Sequence, residues 1–168
     1  MGYQQTYLQT TPFTVTTNAE TSLVTGDNVI SAGIFFVTTC FIIRVIGNYT
    51  AVDDGSGVPP TIKIKIKIGT AATNEVIVSL DSQCQYGTNT FECIGNAVCY
   101  SQGSGGRMKA TGSHIGFKDS AKMYDMDGTF SAIIDTTIEN TIDVTCEFGS
   151  ATNPTSLTVD KIFVNLIT

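Results

Sequence analysis

The chain has no Trp, one His and four Pro, and only 14% of its residues are charged. With a single His, His114, the choice of general bases and metal ligands is narrow. A hydrolytic triad needs that residue beside an activated nucleophile, and a zinc site wants paired close ligands. His114 lies in Gly112-Ser-His-Ile-Gly116 with no Gly-x-Ser-x-Gly elbow around it. It reads as an ordinary loop or strand residue. The five Cys (Cys40, Cys84, Cys93, Cys99, Cys146) form no CxxC, and their odd number and irregular spacing describe reduced thiols used as small apolar residues. Cys93 and Cys99 on one strand stand about 20 Å apart, beyond disulfide reach, and Cys84 with Cys93 is the pair able to meet across a hairpin. No run approaches the ~20 apolar residues of a membrane helix; Val29–Val37 and Phe41–Ile46 are broken by Ser, Gly or Arg. Cations are scarce: 9 Lys+Arg against 15 Asp+Glu leaves −6. That balance argues against broad nucleic-acid binding, because neutralising phosphates takes clustered Lys and Arg. The opening Met-Gly-Tyr-Gln-Gln-Thr has neither a basic stretch nor an apolar core, so no secretory signal is expected.

What is present is strand. Roughly one residue in six or seven is Thr, Val and Ile are frequent, and 16 Gly punctuate the chain. Beta-branched residues suit a pleated, half-buried surface, and no stretch shows the 3.6-residue period of a helix. In Thr61-Ile-Lys-Ile-Lys-Ile-Lys-Ile68 strict alternation puts four Ile on one face and Lys63, Lys65 and Lys67 on the other. The lysine row reads as a solvated face, with anion binding as the functional alternative. Thr141–Phe148 alternates in the same way, preceded by Phe130–Asp135. Ser156–Ile167 changes phase at Asp160-Lys161, which predicts a bulge. Phe36–Ile46 is apolar on both faces and is expected to be central in a sandwich or to lie under a partner subunit. Val76–Leu80 and Phe91–Tyr100 supply two more strands. Turn signals every 8–12 residues then make an all-β, antiparallel sandwich or barrel of about eight strands. Residues 1–14 lack alternation and read as an N-terminal arm outside a domain of residues 15–168. The arm is uncharged yet carries Tyr3, Tyr7, Leu8 and Phe13, the anchors expected to bind a neighbouring subunit or capsid protein.

Nothing marks catalysis. Asp125-Met-Asp-Gly128 has too few oxygen ligands for a calcium loop. Gly103-Ser-Gly-Gly106 lacks the Gly-Lys-Ser/Thr ending and helix of a phosphate loop. Paired-carboxylate chemistry leaves no spacing signature to test. No catalytic residue, cofactor or metal is expected.

Several segments together resemble the small jelly-roll domain of virion structural proteins, the tumour-necrosis-factor-like type found in head fibres and capsid decorations. They are Glu20-Thr-Ser-Leu-Val24, Ile42-Ile-Arg-Val-Ile-Gly-Asn-Tyr49, Thr61–Gly69, Ile134-Asp-Thr-Thr137 and Ile142–Ala151. The resemblance spans about residues 19–168, and the stretch Tyr100–Met126 is longer and more polar than it implies. It implies a single jelly roll, a homotrimer, no enzyme activity and a place in the virion, assembled in the host cytoplasm. Other capsid or virion proteins are the implied partners, with a host-surface glycan as a further one. The alternative is a carbohydrate-binding, lectin-like module, for which Tyr86, Tyr100 and Tyr124 are the candidate aromatics.

Overall fold

The computed structural model describes residues 3–25, 28–53, 55–70, 75–110, 113–117, 120–126, 131–149 and 155–167. Every regular element among them is a strand. In chain order these are β1 (Tyr3–Gln9), β2 (Phe13–Val15), β3 (Thr21–Ser22), β4 (Val29–Ile30), β5 (Cys40–Ala51), β6 (Thr61–Gly69), β7 (Glu75–Gln83) and β8 (Gly87–Ser101). They are followed by β9 (Gly106–Ala110), β10 (Ser113–Phe117), β11 (Ser120–Met126), β12 (Ser131–Ile134), β13 (Asn140–Phe148) and β14 (Thr155–Ile167).

Two antiparallel sheets form. In the first, β1 and β2 share the outer edge of β14, followed by β5 and β8; β9 and β10 then share the far edge of β8, each paired with β12 or β11. In the second, β3 and β4 share one edge of β13, followed by β6 and β7. The chain crosses between sheets after β2, β4, β5, β7, β12 and β13, the jelly-roll path. Collinear segments merge into ten strand positions, six in the first sheet and four in the second, against about eight expected. The two extra positions are one inserted hairpin, residues 106–134, which widens the first sheet beyond β8. Its residues 106–126 fall in the stretch that is longer than the resemblance implies.

The core is the product of period-two alternation. Phe41, Ile43 and Val45 of β5 and Leu157, Val159, Ile162 and Val164 of β14 point inward from the first sheet. Ile62, Ile64, Ile66 and Ile68 of β6 meet them from the second. The predicted bulge is present: the β14–β5 register shifts between Val159 and Lys161. It returns Ile162 to the core phase that Val159 leaves.

Two expectations are corrected. The strand expected from Phe36 begins at Cys40; Phe36 and Val37 are 56% and 50% exposed. Residues 36–39 are instead a turn, with Thr38 at φ 82°. The Phe36 amide donates to Thr39 Oγ1 at 3.0 Å and the Thr38 amide to the Cys99 carbonyl at 2.8 Å. Side-chain capping by Thr outcompetes strand extension here. Residues 3–9, expected outside the sandwich, are its edge strand, paired with β14 from Tyr3–Ile167 to Gln9–Ile162. An edge strand satisfies its backbone on one side alone, so it can form without the alternation of a buried strand.

Two glycines of the family-like segments have steric reasons. A Cβ on Gly47 would sit 2.1 Å from the Thr158 carbonyl oxygen and 2.9 Å from Phe91 Cε1. One on Gly149 would sit 1.8 Å from Thr61 Oγ1. Tyr49, fully buried, accepts the Gln85 amide on its hydroxyl at 3.0 Å. Gly47→Ala is expected to destabilise by about 2–3 kcal/mol, since backbone cannot yield as a side chain does. Tyr49→Phe should cost about 1 kcal/mol. Urea denaturation with an unchanged m-value checks both.

All five cysteines are free, and all but Cys40 are buried. Burial pushes the Cys84 and Cys146 thiols up to about 12 and raises Cys93 as well. Because the thiolate is the reactive form, a disulfide-exchange reagent should label the native protein only at Cys40, slowly, and all five thiols after unfolding. Reductant should leave the melting temperature unchanged.

Candidate assembly interface

A jelly roll has two outer sheet faces, and here they differ in kind. On the outer face of the second sheet the lysine row is already occupied. Glu20, in the connection leading to β3, accepts from Lys65 at 2.5 Å, from Lys67, and from Thr145 Oγ1 at 2.8 Å. Lys65 also reaches Glu147 at 3.2 Å. Lys63 lies opposite Glu147, and Lys67 opposite Asp143. Ser22 Oγ donates to Asp143 Oδ1 at 2.6 Å. Lys65 and Lys67 thus serve an internal ionic lattice that fastens the entry to β3 across β13 and β6, rather than an open anion-binding row.

The hydrogen bonds from Lys65 and then Lys67 hold the Glu20 carboxyl at about 2, and Lys65 is raised in return, chiefly by Glu20. A carboxylate whose folded value lies below its ordinary one stabilises above the ordinary value, and that stability is lost as pH falls from about 4.5 to about 2. Glu20→Gln should therefore cost about 1 kcal/mol at neutral pH and flatten the loss of stability over that acid range, as read by denaturation at stepped pH.

The outer face of the first sheet is built differently. Register places Ile167, Cys40 and Val98 in one row, then Asn165, Ile42 and Asn96, then Phe163, Arg44 and Ile94, then Lys161, Ile46 and Glu92. These side chains are half-buried or exposed. Toward the other end the rows turn to hydroxyls and amides: Thr158, Asn48 and Thr90, then Ser156, Thr50 and Thr88. Thr14 bonds Thr158, and Thr50 bonds Thr88, each at 2.9 Å between hydroxyl oxygens. Arg44 pairs with Glu92 across the apolar half. The inserted hairpin extends this half with Arg107 and Lys109, both exposed opposite the buried Met108, and with Ile133, 56% exposed. The second face of β5 read as apolar in the sequence is therefore this face, with Ile42 and Ile46 at its centre.

The expected anchors divide. Phe13 of β2 is half-buried and packs against the core. Tyr3 pairs across the ladder with Ile167, Tyr7 with Val164 and Leu8 with Phe163; the side chains of these three lie outside the described residues, as do those of His114 and Tyr124 and all of residues 127–128. β1 is the last strand on its edge of the sheet. Tyr86 is half-buried just before β8, and Tyr100 is 44% exposed near the strand's other end. About 45 Å of strand separates them, so they build no common sugar platform. Among the described residues no group of three His, Cys, Asp or Glu side chains could hold a metal ion, and no helix is long and apolar enough to cross a membrane.

No protein-family model matches the chain, and no curated protein matches it. Among solved structures it is similar to a chain in the structure of infectious bursal disease virus Gx strain, at a TM-score of 0.30 and 8% sequence identity. That likeness covers 99% of this chain and 40% of the other, so this chain spans less than half of its length. A TM-score of 0.30 does not establish a shared fold, and the functional reading rests on this chain's own surfaces.

Proposed function

We propose that the protein is a non-catalytic virion structural subunit, a capsid-decorating or fibre-head jelly roll that assembles with copies of itself, as a homotrimer, and with other capsid proteins. The observation that carries this reading is the difference between the two outer faces. One is polar, with Lys65 and Lys67 matched by Glu20 and Glu147. The other presents Ile42, Ile46, Ile94 and Phe163 among a few charges. Contiguous apolar surface on a folded domain marks a surface built to be covered. β1 adds a second attachment mode, because its outward edge can take a further strand from a neighbour. A host-surface glycan is a further partner in this reading, met through the loops.

The test is whether the protein is recovered at fixed copy number in purified particles and maps to their surface by labelled-antibody microscopy. Deleting residues 2–8 should leave a folded sandwich, since the core and the buried Gln9, which bonds Leu23 and Thr25, remain, but should abolish incorporation. A truncated protein that incorporates at the normal copy number removes β1 as the anchor. Absence of the full chain from particles overturns the reading.

A further inference from the structure

Three strands of seven or more residues end a sheet: β1, β7 and β11. β7 carries Glu75 and Asp81, and β11 carries Lys122 and Asp125. Charges of this kind keep an open edge from pairing with another chain. β1, Tyr3-Gln-Gln-Thr-Tyr-Leu-Gln9, carries neither charge nor proline. About half of its amides and carbonyls bond β14, and the rest point to the side where no described strand lies. One end of the strand is pinned. The buried Gln9 side chain donates to the Leu23 carbonyl at 3.0 Å and accepts the Thr25 amide at 2.9 Å. Tyr3–Leu8 is the length that runs on beyond this tie.

The ladder to β14 shifts between Gln5 and Tyr7, which leaves Thr6 as an extra residue. Before the shift Tyr3 stands opposite Ile167 and Gln4 opposite the buried Leu166; after it Tyr7 stands opposite the buried Val164 and Leu8 opposite Phe163. The positions of Tyr3 and Leu8 thus belong to outer-face rows, and those of Gln4 and Tyr7 to core-facing rows. A regular strand laid on this edge would leave Thr6 unpaired a second time. A second β1, laid antiparallel about a two-fold axis normal to the sheet between Gln5 and Thr6, would not. It sets Tyr3 against Leu8, Gln4 against Tyr7 and Gln5 against Thr6, and it keeps outer rows with outer rows. In such an isologous contact every charge near the axis would meet its own copy; residues 1–19 contain no charged side chain.

Resting on the subunit reading above, we infer that the outer edge of β1 is a docking site for β1 of a second copy, paired antiparallel over Tyr3–Leu8. The first sheets of the two copies then run on as one. A two-fold contact joins subunits in pairs, so it links a subunit of one assembly to a subunit of the next rather than closing a trimer.

The experiment is sedimentation of the full chain at tens of micromolar. Gln5→Lys sets like charges beside the axis, and Gln5→Asn is the neutral control. Wild type should reach a species of even subunit number. Gln5→Lys should associate about tenfold more weakly, Gln5→Asn should match wild type, and both should keep the wild-type circular dichroism. Disulfide capture reads the register in a Cys40→Ser background, where the other native thiols are buried. Chains with Tyr3→Cys mixed with chains carrying Leu8→Cys should cross-link under mild oxidation. Either chain alone should not, because its two introduced thiols stand about 17 Å apart across the axis. Association indifferent to Gln5→Lys, or a mixture that links no better than its components, overturns this contact and leaves the subunit reading standing. A wild-type trimer does the same. A wild-type monomer overturns the contact together with self-assembly, while recovery in particles judges the virion role separately.

Discussion

Strand β5 is hydrogen-bonded along all twelve of its residues on both edges, to β14 on one side and β8 on the other. That double ladder is the constraint from which the remaining geometry follows. It fixes two fifteen-to-thirteen-residue neighbours in register, so the inner and outer faces of three long strands are set at once. A one-residue slip would exchange Phe41, Ile43 and Val45 for Ile42, Arg44 and Ile46 on the core side. The ladder closes only because Gly47 lets β14 approach at its bulge. The bulge in turn keeps both halves of β14 facing the core: Leu157 and Val159 before it, Ile162, Val164 and Leu166 after it.

The second sheet is held on different terms. Its inner face is a row of isoleucines, but its short outer strands, β3 and β4, have two residues each. Ladder hydrogen bonds at that length do little alone. The Glu20 carboxylate, bridging Lys65, Lys67 and Thr145, supplies the missing attachment from the solvent side. The consequence reaches function: once the lysines are matched there, the unmatched cations of the described chain lie on the first sheet. The polarity of the whole domain is thus partly set by which sheet needed an ionic fastening.

Much of this was legible in the sequence where the determinants are local. Alternation at 61–68 and 141–148 gave strands and faces directly, and the phase change at Asp160-Lys161 located a bulge without any partner strand in view. What was not legible depends on residues far apart in the chain. Gly47 and Tyr49 stand in a recognisable segment, but their reasons are the Thr158 carbonyl and the Gln85 amide. Phe36 and Val37 continue an apolar run, so they read as strand; a threonine cap ends the strand before them. The edge strand at 3–9 was missed because pairing on one side leaves no alternation to see. The matched lysine row needed Glu20, some forty-five positions upstream in sequence. That Arg44, Arg107, Lys109 and Lys161 share one face is invisible in sequence, since they are gathered only by strand register.

The hairpin of residues 106–134 is the feature that widens the first sheet beyond β8. Without residues 106–134 the first sheet would have four positions, about 19 Å across, and a face of roughly 770 Å², just at the size a standard partner contributes. Its net described charge would then be even, Arg44 and Lys161 against Glu92 and Asp160. The hairpin widens the face by half, adds the exposed Arg107 and Lys109, and sets Ile133 in the open. The Gly103–Thr136 bonds that fasten the end loops flank it at its entry and exit. The widened face and the fastened end loops therefore meet at one hairpin, which enters at Gly106 just after Gly103 and leaves at Ile134 just before Thr136.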